Sequence, residues 1–138
     1  MNVIGIIPAR MGSSRFPGKP MEKIHGMPMI GHCYHRTALA LGTDKTYVAT
    51  CDLEIYDYIL SIGGKAVMTA DTHTRATTRT AEALVKIEKQ VAEEVNVIIM
   101  VQGDEPLIQP NTISKTILHF QDQKVNVVNI MSCLLTKE

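Results

Sequence analysis

The sequence predicts an α/β protein in which a mostly parallel sheet lies between helices in three layers. Short apolar runs alternate with amphipathic stretches, the connections between them are brief, and the runs read as strands buried on both faces. With 138 residues the chain fits one domain, taken as 1–138, because chains near 150 residues bury about 70% of their unfolded surface.

The elements follow in order. Val3 to Ile7 is an apolar run ending at Pro8, which reads as a doubly buried strand, and a long polar turn comes next. From Pro28 to Leu41, Ile30, Cys33, Tyr34, Ala38 and Leu41 recur near helical spacing, with Pro28 in the first turn and Gly42 as the stop. Thr46 to Thr50 is strand-like. Asp52 is placed to cap a helix over Leu53 to Ile62, which Gly63 and Gly64 terminate, and Lys65 to Met68 gives a third strand. Ala81, Leu84, Val85, Glu88, Val91 and Val95 mark the inner face of a further helix, ended by Asn96. Val97 to Val101 is the most hydrophobic strand. Pro110 opens a helix with Ile113, Ile117 and Leu118 on one side, and Val125 to Leu135 reads as a last strand with its tail.

Composition excludes several classes of partner. The 14 basic and 14 acidic residues cancel, so no global field favours nucleic acid or an anionic membrane, and any anion site must be local. No apolar run approaches the ~18 to 20 residues that cross a bilayer, and the chain opens directly on a strand instead of a basic segment with a cleavage site, so the cytoplasm is expected. Cys33, Cys51 and Cys133 lack metal-ligand spacing and read as buried free thiols.

Two loops carry chemistry, each beyond the C-terminal end of a strand, where open α/β sheets bind ligands. The first sets Arg10, Arg15 and Lys19 among Gly12, Ser13, Ser14 and Gly18. Glycines let backbone N–H groups approach an anion, and the cations match phosphate oxygens. The spacing is neither that of a Walker A loop nor GxGxxG, and on composition alone a solvated basic turn competes evenly with a phosphate cradle. The second loop offers Asp104 and Glu105 just past the most apolar strand, where a carboxylate can share Mg²⁺ with substrate phosphates; alone, it would read as a turn acid. Together the loops favour a metal-dependent reaction on a nucleoside triphosphate.

The segment from Ile6 to Pro20, then Gly26-Met27-Pro28-Met29-Ile30, and Val101-Gln102-Gly103-Asp104-Glu105-Pro106-Leu107-Ile108 closely resemble the 3-deoxy-manno-octulosonate cytidylyltransferases, or CMP-Kdo synthetases. CMP-sialic acid synthetases share the first loop in looser form. The resemblance implies a Rossmann-like nucleotidyltransferase sheet and transfer of CMP from CTP to an acidic eight-carbon sugar, with release of pyrophosphate, for lipopolysaccharide or a related surface polysaccharide. It implies that Arg10, Ser13, Arg15 and Lys19 hold the triphosphate with the Gly12 turn, and that Pro8 and Ala9 help place the cytosine. Asp104 would bind Mg²⁺, Arg79 would contact the nucleotide, and Gln102 would lie beside nucleotide or sugar. Arg10, Lys19 and Asp104 are the implied catalytic groups.

The resemblance covers essentially this whole chain but only the first half or so of the family's length. The family's second half carries most sugar contacts, a second metal-binding Asp and the dimer interface, so a homo-oligomer or a complementary half is the expected partner. The family's His-x-Ser-Gly-Thr-Asp/Glu-Arg segment reads His73-Thr74-Arg75-Ala76-Thr77-Thr78-Arg79 here. Ala76 in place of Gly is expected to strain a positive-φ backbone by about 1 kcal/mol. Arg75 adds charge where a small hydroxyl is usual, and His73 is expected to be structural. Two other readings share these residues: a paralogue that binds nucleotide or a protein without catalysis, and a nucleotidyltransferase for another base or sugar.

Overall fold

The computed structural model describes residues 1–12 and 15–131. Strands β1 (Val3–Ala9), β4 (Thr46–Thr50), β5 (Lys65–Met68) and β6 (Val97–Met100) form one sheet in the order β5-β4-β1-β6, and every pairing in it is parallel. The remaining strands, β2 (Lys23–Ile24) and β3 (Met27–Pro28), make a short antiparallel hairpin within the stretch that reads from sequence as a plain polar turn. Two residues per strand are too few to produce an alternation pattern.

Side-chain alternation on the strands builds two cores. Ile7, Val48, Val97 and Ile99 face α1 (Met29–Leu41), α2 (Leu53–Ser61) and α4 (Pro110–Leu118), packing with Ile30, Cys33, Tyr34, Ile55, Ile59 and Ile113. On the opposite face Ile4, Ile6, Tyr47, Ala49 and Val67 pack against Ala83 and Ile87 of α3 (Ala76–Val91). This is the three-layer arrangement that the alternating runs predict. Order reverses at β1, whose chain continues through α1 to β4 on one side while β6 joins from the other.

Several elements differ from expectation. The buried face of α3 is Arg79, Thr80, Ala83 and Ile87, whereas Val85 and Val91 are exposed. The apolar count misplaced the face because two polar residues occupy inward positions. The helix also stops at Val91, where Ala92 adopts a left-handed φ of 54°, and not at Asn96. Leu118 is exposed, leaving Ile113 and Ile117 as the inner side of α4. Residues 125–131 form no strand; they run beside the outer edge of β6 without ladder bonds, and 132–135 lie outside the described residues, as does Cys133. Cys33 is buried as expected, but Cys51 is partly exposed.

Burial sorts the energetic weight of these residues. Ile7 is fully buried between β4, β6 and α1, while Leu39, on the outer face of α1, is 77% exposed. We expect Ile7→Ala to cost about 2–5 kcal/mol through lost burial and the cavity left behind, and Leu39→Ala to stay within about 0.5 kcal/mol, both read by urea denaturation.

Candidate functional site

The C-terminal ends of β1 and β6 lie side by side because the two strands pair in register from Val3 with Val97 to Ile6 with Met100. Val101 extends this ladder by donating its N–H to the Ile6 carbonyl at 3.1 Å. The next turn then lands directly on the end of β1. A Cβ on Gly103 would sit 2.8 Å from the Pro8 carbonyl oxygen and 3.1 Å from the Ala9 Cβ, so only glycine allows this approach. Beneath the turn, the buried Cys33 thiol donates to the Gly103 carbonyl at 3.4 Å. Burial pushes that thiol up to about 11, which keeps it protonated as a donor.

The phosphate-loop candidate leaves β1 at Arg10 and returns at Gly18. Gly18 adopts a φ of 77° and donates its N–H to the Met11 carbonyl at 2.8 Å, closing the neck of the loop. Lys19 and Pro20 then turn the chain toward the β2–β3 hairpin.

A cleft of about 330 Å³ opens between these loops and the start of α3. Its walls are Pro8, Ala9 and Arg10 from β1, Arg15, Phe16, Lys19 and Pro20 from the first loop, and Gln102, Gly103 and Asp104 from the second. Met29 of α1 contributes, and His73, Thr74, Arg75, Ala76 and Arg79 close the far side. Five cations (Arg10, Arg15, Lys19, Arg75, Arg79) thus face one carboxylate (Asp104) in a chain of zero net charge. The first turn of α3 adds its own field. The N-cap residue Arg75 makes no side-chain cap bond and no acid lies in the first turn, so the N–H groups there favour an anion at the far wall.

Lys19 Nζ and Asp104 Oδ2 stand 3.9 Å apart with 43% and 58% of their side chains exposed. Such a pair contributes about 0–1 kcal/mol, so either partner can turn to a ligand at little cost. Arg79 behaves differently. It is 3% exposed, with Nε donating to Thr69 Oγ1 at 3.0 Å and Nη2 to the Ala70 carbonyl at 3.3 Å. Its guanidinium therefore braces the far wall as well as lining the cleft.

The sequence matches the cytidylyltransferase family over residues 4–135. The chain belongs to that family. Among its relatives, the 8-amino-3,8-dideoxy-manno-octulosonate cytidylyltransferase of Shewanella loihica is 46% identical over 121 residues, covering 88% of this chain and 48% of that protein. The protein of the same name from Shewanella putrefaciens is 47% identical over 123 residues, covering 89% and 49%. A solved CMP:2-keto-3-deoxy-manno-octonic acid synthetase in complex with CTP superposes with a TM-score of 0.80 at 37% identity, over 90% of this chain and 49% of that one. A cytidylyltransferase from Leptospira borgpetersenii shares the fold, with a TM-score of 0.68 at 24% identity over 89% and 50%. The chain spans about half the length of the relatives it matches.

Of the cytidylyltransferase residues predicted from sequence, Pro8, Ala9, Arg10, Arg15, Lys19, Arg79, Gln102 and Asp104 meet at the cleft. Gly12 is not among the lining residues, and Ser13 lies outside the described residues. Asp104 faces the cleft, whereas Glu105 lies along the groove beside α4. The strain expected at Ala76 is absent, because the residue opens α3 and the non-glycine residues of positive φ, among those described, are His25 and Ala92. Arg75 stands exposed on the rim and displaces nothing from the core.

Sequence reasoning missed Glu82. Nearly two turns into α3, its carboxylate accepts from His73 Nε2 at 2.6 Å, Lys86 Nζ at 2.8 Å and the Ala70 N–H at 3.1 Å. His73 thereby fastens the far wall to α3. Only the observed register of α3 reveals the partner, since nine residues separate the two in sequence. The bonds from Lys86, His73 and Ala70 hold the Glu82 carboxyl down at about 2, against 4.5 ordinarily. A lowered carboxyl contributes stability that is complete above the unfolded value and is lost as pH falls toward the folded one. The stability gap between the native chain and Glu82→Gln is therefore expected to be full above pH 4.5 and to close as pH drops to about 2, measured by urea denaturation across that range.

Proposed function

We propose that the cleft binds CTP and that the family activity in which this chain takes part transfers CMP to an acidic eight-carbon sugar of the 3-deoxy-manno-octulosonate class. The observation that carries the reading is the meeting of five cations and one carboxylate at the point where strand order reverses. A triphosphate supplies the negative charge that this wall lacks. The cleft volume falls at the lower end of the range for ligand pockets, roughly 300–1,000 Å³. The names of the relatives support the sugar class, and the CTP-bound synthetase supports the nucleotide.

In this reading Arg10, Arg15 and Lys19 hold the β- and γ-phosphates, and Pro8 and Ala9 border the space for the base. The sugar hydroxyl attacks the α-phosphorus, the bond to the β-phosphate bridging oxygen breaks, the hydroxyl proton passes to solvent and pyrophosphate leaves. Most of the rate would come from positioning and charge neutralisation, with Lys19 and Arg10 facing the departing group.

The residues present fit Mg²⁺ of a particular kind. No group of three or more His, Cys, Asp or Glu side chains that could hold a metal exists among the described residues, so the protein builds no cage of its own there. Mg²⁺ commonly takes one or two carboxylates and completes its shell with phosphate oxygens and water, which suits the exposed Asp104 opposite the phosphate loop. When bound, it would neutralise phosphate oxygens and stabilise the leaving pyrophosphate. Among the described residues no helix is long and apolar enough to cross a membrane. We assign the reaction to the cytoplasm and its product to lipopolysaccharide or a related surface polysaccharide.

Isothermal titration of the chain with CTP, ATP, GTP and UTP, with and without Mg²⁺, tests the reading. CTP should bind best and only with Mg²⁺. Lys19→Ala should weaken binding roughly 10- to 100-fold, the worth of about 1.5–3 kcal/mol for a charged hydrogen bond, and Asp104→Ala should abolish the metal dependence. Silence with every nucleotide, or equal affinity for all four, would sink it.

A further inference from the structure

We propose that Asp52 is a positioning residue for the phosphate loop: from the end of β4 it pins the Met11 peptide and so sets how Arg10, Arg15 and Lys19 face a triphosphate. The proposal rests on the reading of the cleft as a CTP site. Asp52 reads from sequence as the cap of α2, and it does occupy that position, its carbonyl accepting from the Tyr56 N–H at 3.0 Å. Its carboxylate, however, makes no cap bond to α2. Oδ2 instead accepts the N–H of Met11, 41 residues away in sequence, at 2.7 Å.

Met11 is the residue through which the loop is closed. Its carbonyl accepts from Gly18 while its N–H donates to Asp52, so both sides of one residue are held, and the residue before it is Arg10. Asp52 is held in turn. Its own N–H donates to Thr50 Oγ1 at 3.1 Å, and the Cys51 thiol donates to Oδ2 at 3.6 Å. Cys51 Sγ also accepts from Arg79 Nη2 at 3.6 Å. One connected set of bonds therefore joins the ends of β1 and β4 to the start of α3, and both walls of the cleft are referred to Asp52.

Charge and hydrogen bonding make opposite predictions here. A carboxylate bonded next to Arg10 repels a triphosphate, so removing its charge alone favours binding. Removing the acceptor frees the Met11 N–H and loosens the loop. Asp52→Asn deletes the charge and keeps an oxygen able to accept from Met11, whereas Asp52→Ala deletes both. Asp52→Ser provides a second variant without the tether: a good cap for α2 whose side chain is one bond shorter.

Two measurements test this on the intact chain. Limited trypsin digestion without nucleotide reads the loop directly, through cleavage after Arg10 and Arg15; Lys19 precedes Pro20 and resists. Cleavage should be about tenfold faster in Asp52→Ala and Asp52→Ser than in the native chain, with Asp52→Asn restored to near the native rate. Titration with CTP and Mg²⁺ should show the same order, with roughly tenfold weaker binding for the Ala and Ser variants and rescue by Asn. Equal behaviour of the Ala and Asn variants in the digestion, or in the titration where the native chain binds CTP, or tighter binding by Asp52→Ala, overturns the proposal. If the native chain does not bind CTP, the reading of the cleft fails, and the digestion alone decides whether Asp52 holds the loop.

Discussion

The central position of β1, hydrogen-bonded in parallel to β4 on one side and to β6 on the other, governs the rest of the molecule. Parallel strands end on the same side, so the loops after β1, β4 and β6 must emerge together. With β1 in the middle, its own loop lies between the other two. Asp52 reaches it from the β4 side and the Gly103 turn reaches it from the β6 side. The doubly buried character of β1, with Ile6 and Ile7 on opposite faces, fixes its register and therefore the height of both neighbouring loops.

A neutral chain achieves a strongly positive site by segregation. Acidic residues such as Glu54, Asp57, Glu93 and Glu94 sit on outer surfaces, while five cations converge on one cleft. Concave walls of low dielectric concentrate the field of those cations and raise the local density of an anion. The groups divide by environment. Arg79 is buried and holds the wall through Nε and Nη2, whereas Lys19 and Asp104 remain exposed and weakly paired, free to change partners.

The strands of the main sheet, α1, α2 and the two chemical loops were legible because each rests on local signals: an apolar run, a glycine stop, cations among glycines. The inner face of α3 was not, because Arg79 and Thr80 point inward to bond Thr69 and the Ala76 carbonyl, and a hydrophobicity count scores such positions as outward. Asp52 was seen at the right place and given the wrong partner, since an N-cap motif is local and the Met11 N–H comes from a different strand end. Glu82 carried no signal beyond the helix that bears it. The apolar residues of 125–131 follow a strand composition, yet composition cannot supply the ladder partner that would make them one.

Cys33 has a further meaning in chemical terms. Alkylating agents, peroxides and mixed disulfides all attack the thiolate, and a sulfur that is inaccessible and protonated offers them almost none. The acid-bearing turn thus rests on a sulfur shielded from such reagents, while Cys51, partly exposed at the end of β4, is the more accessible of the two described cysteines.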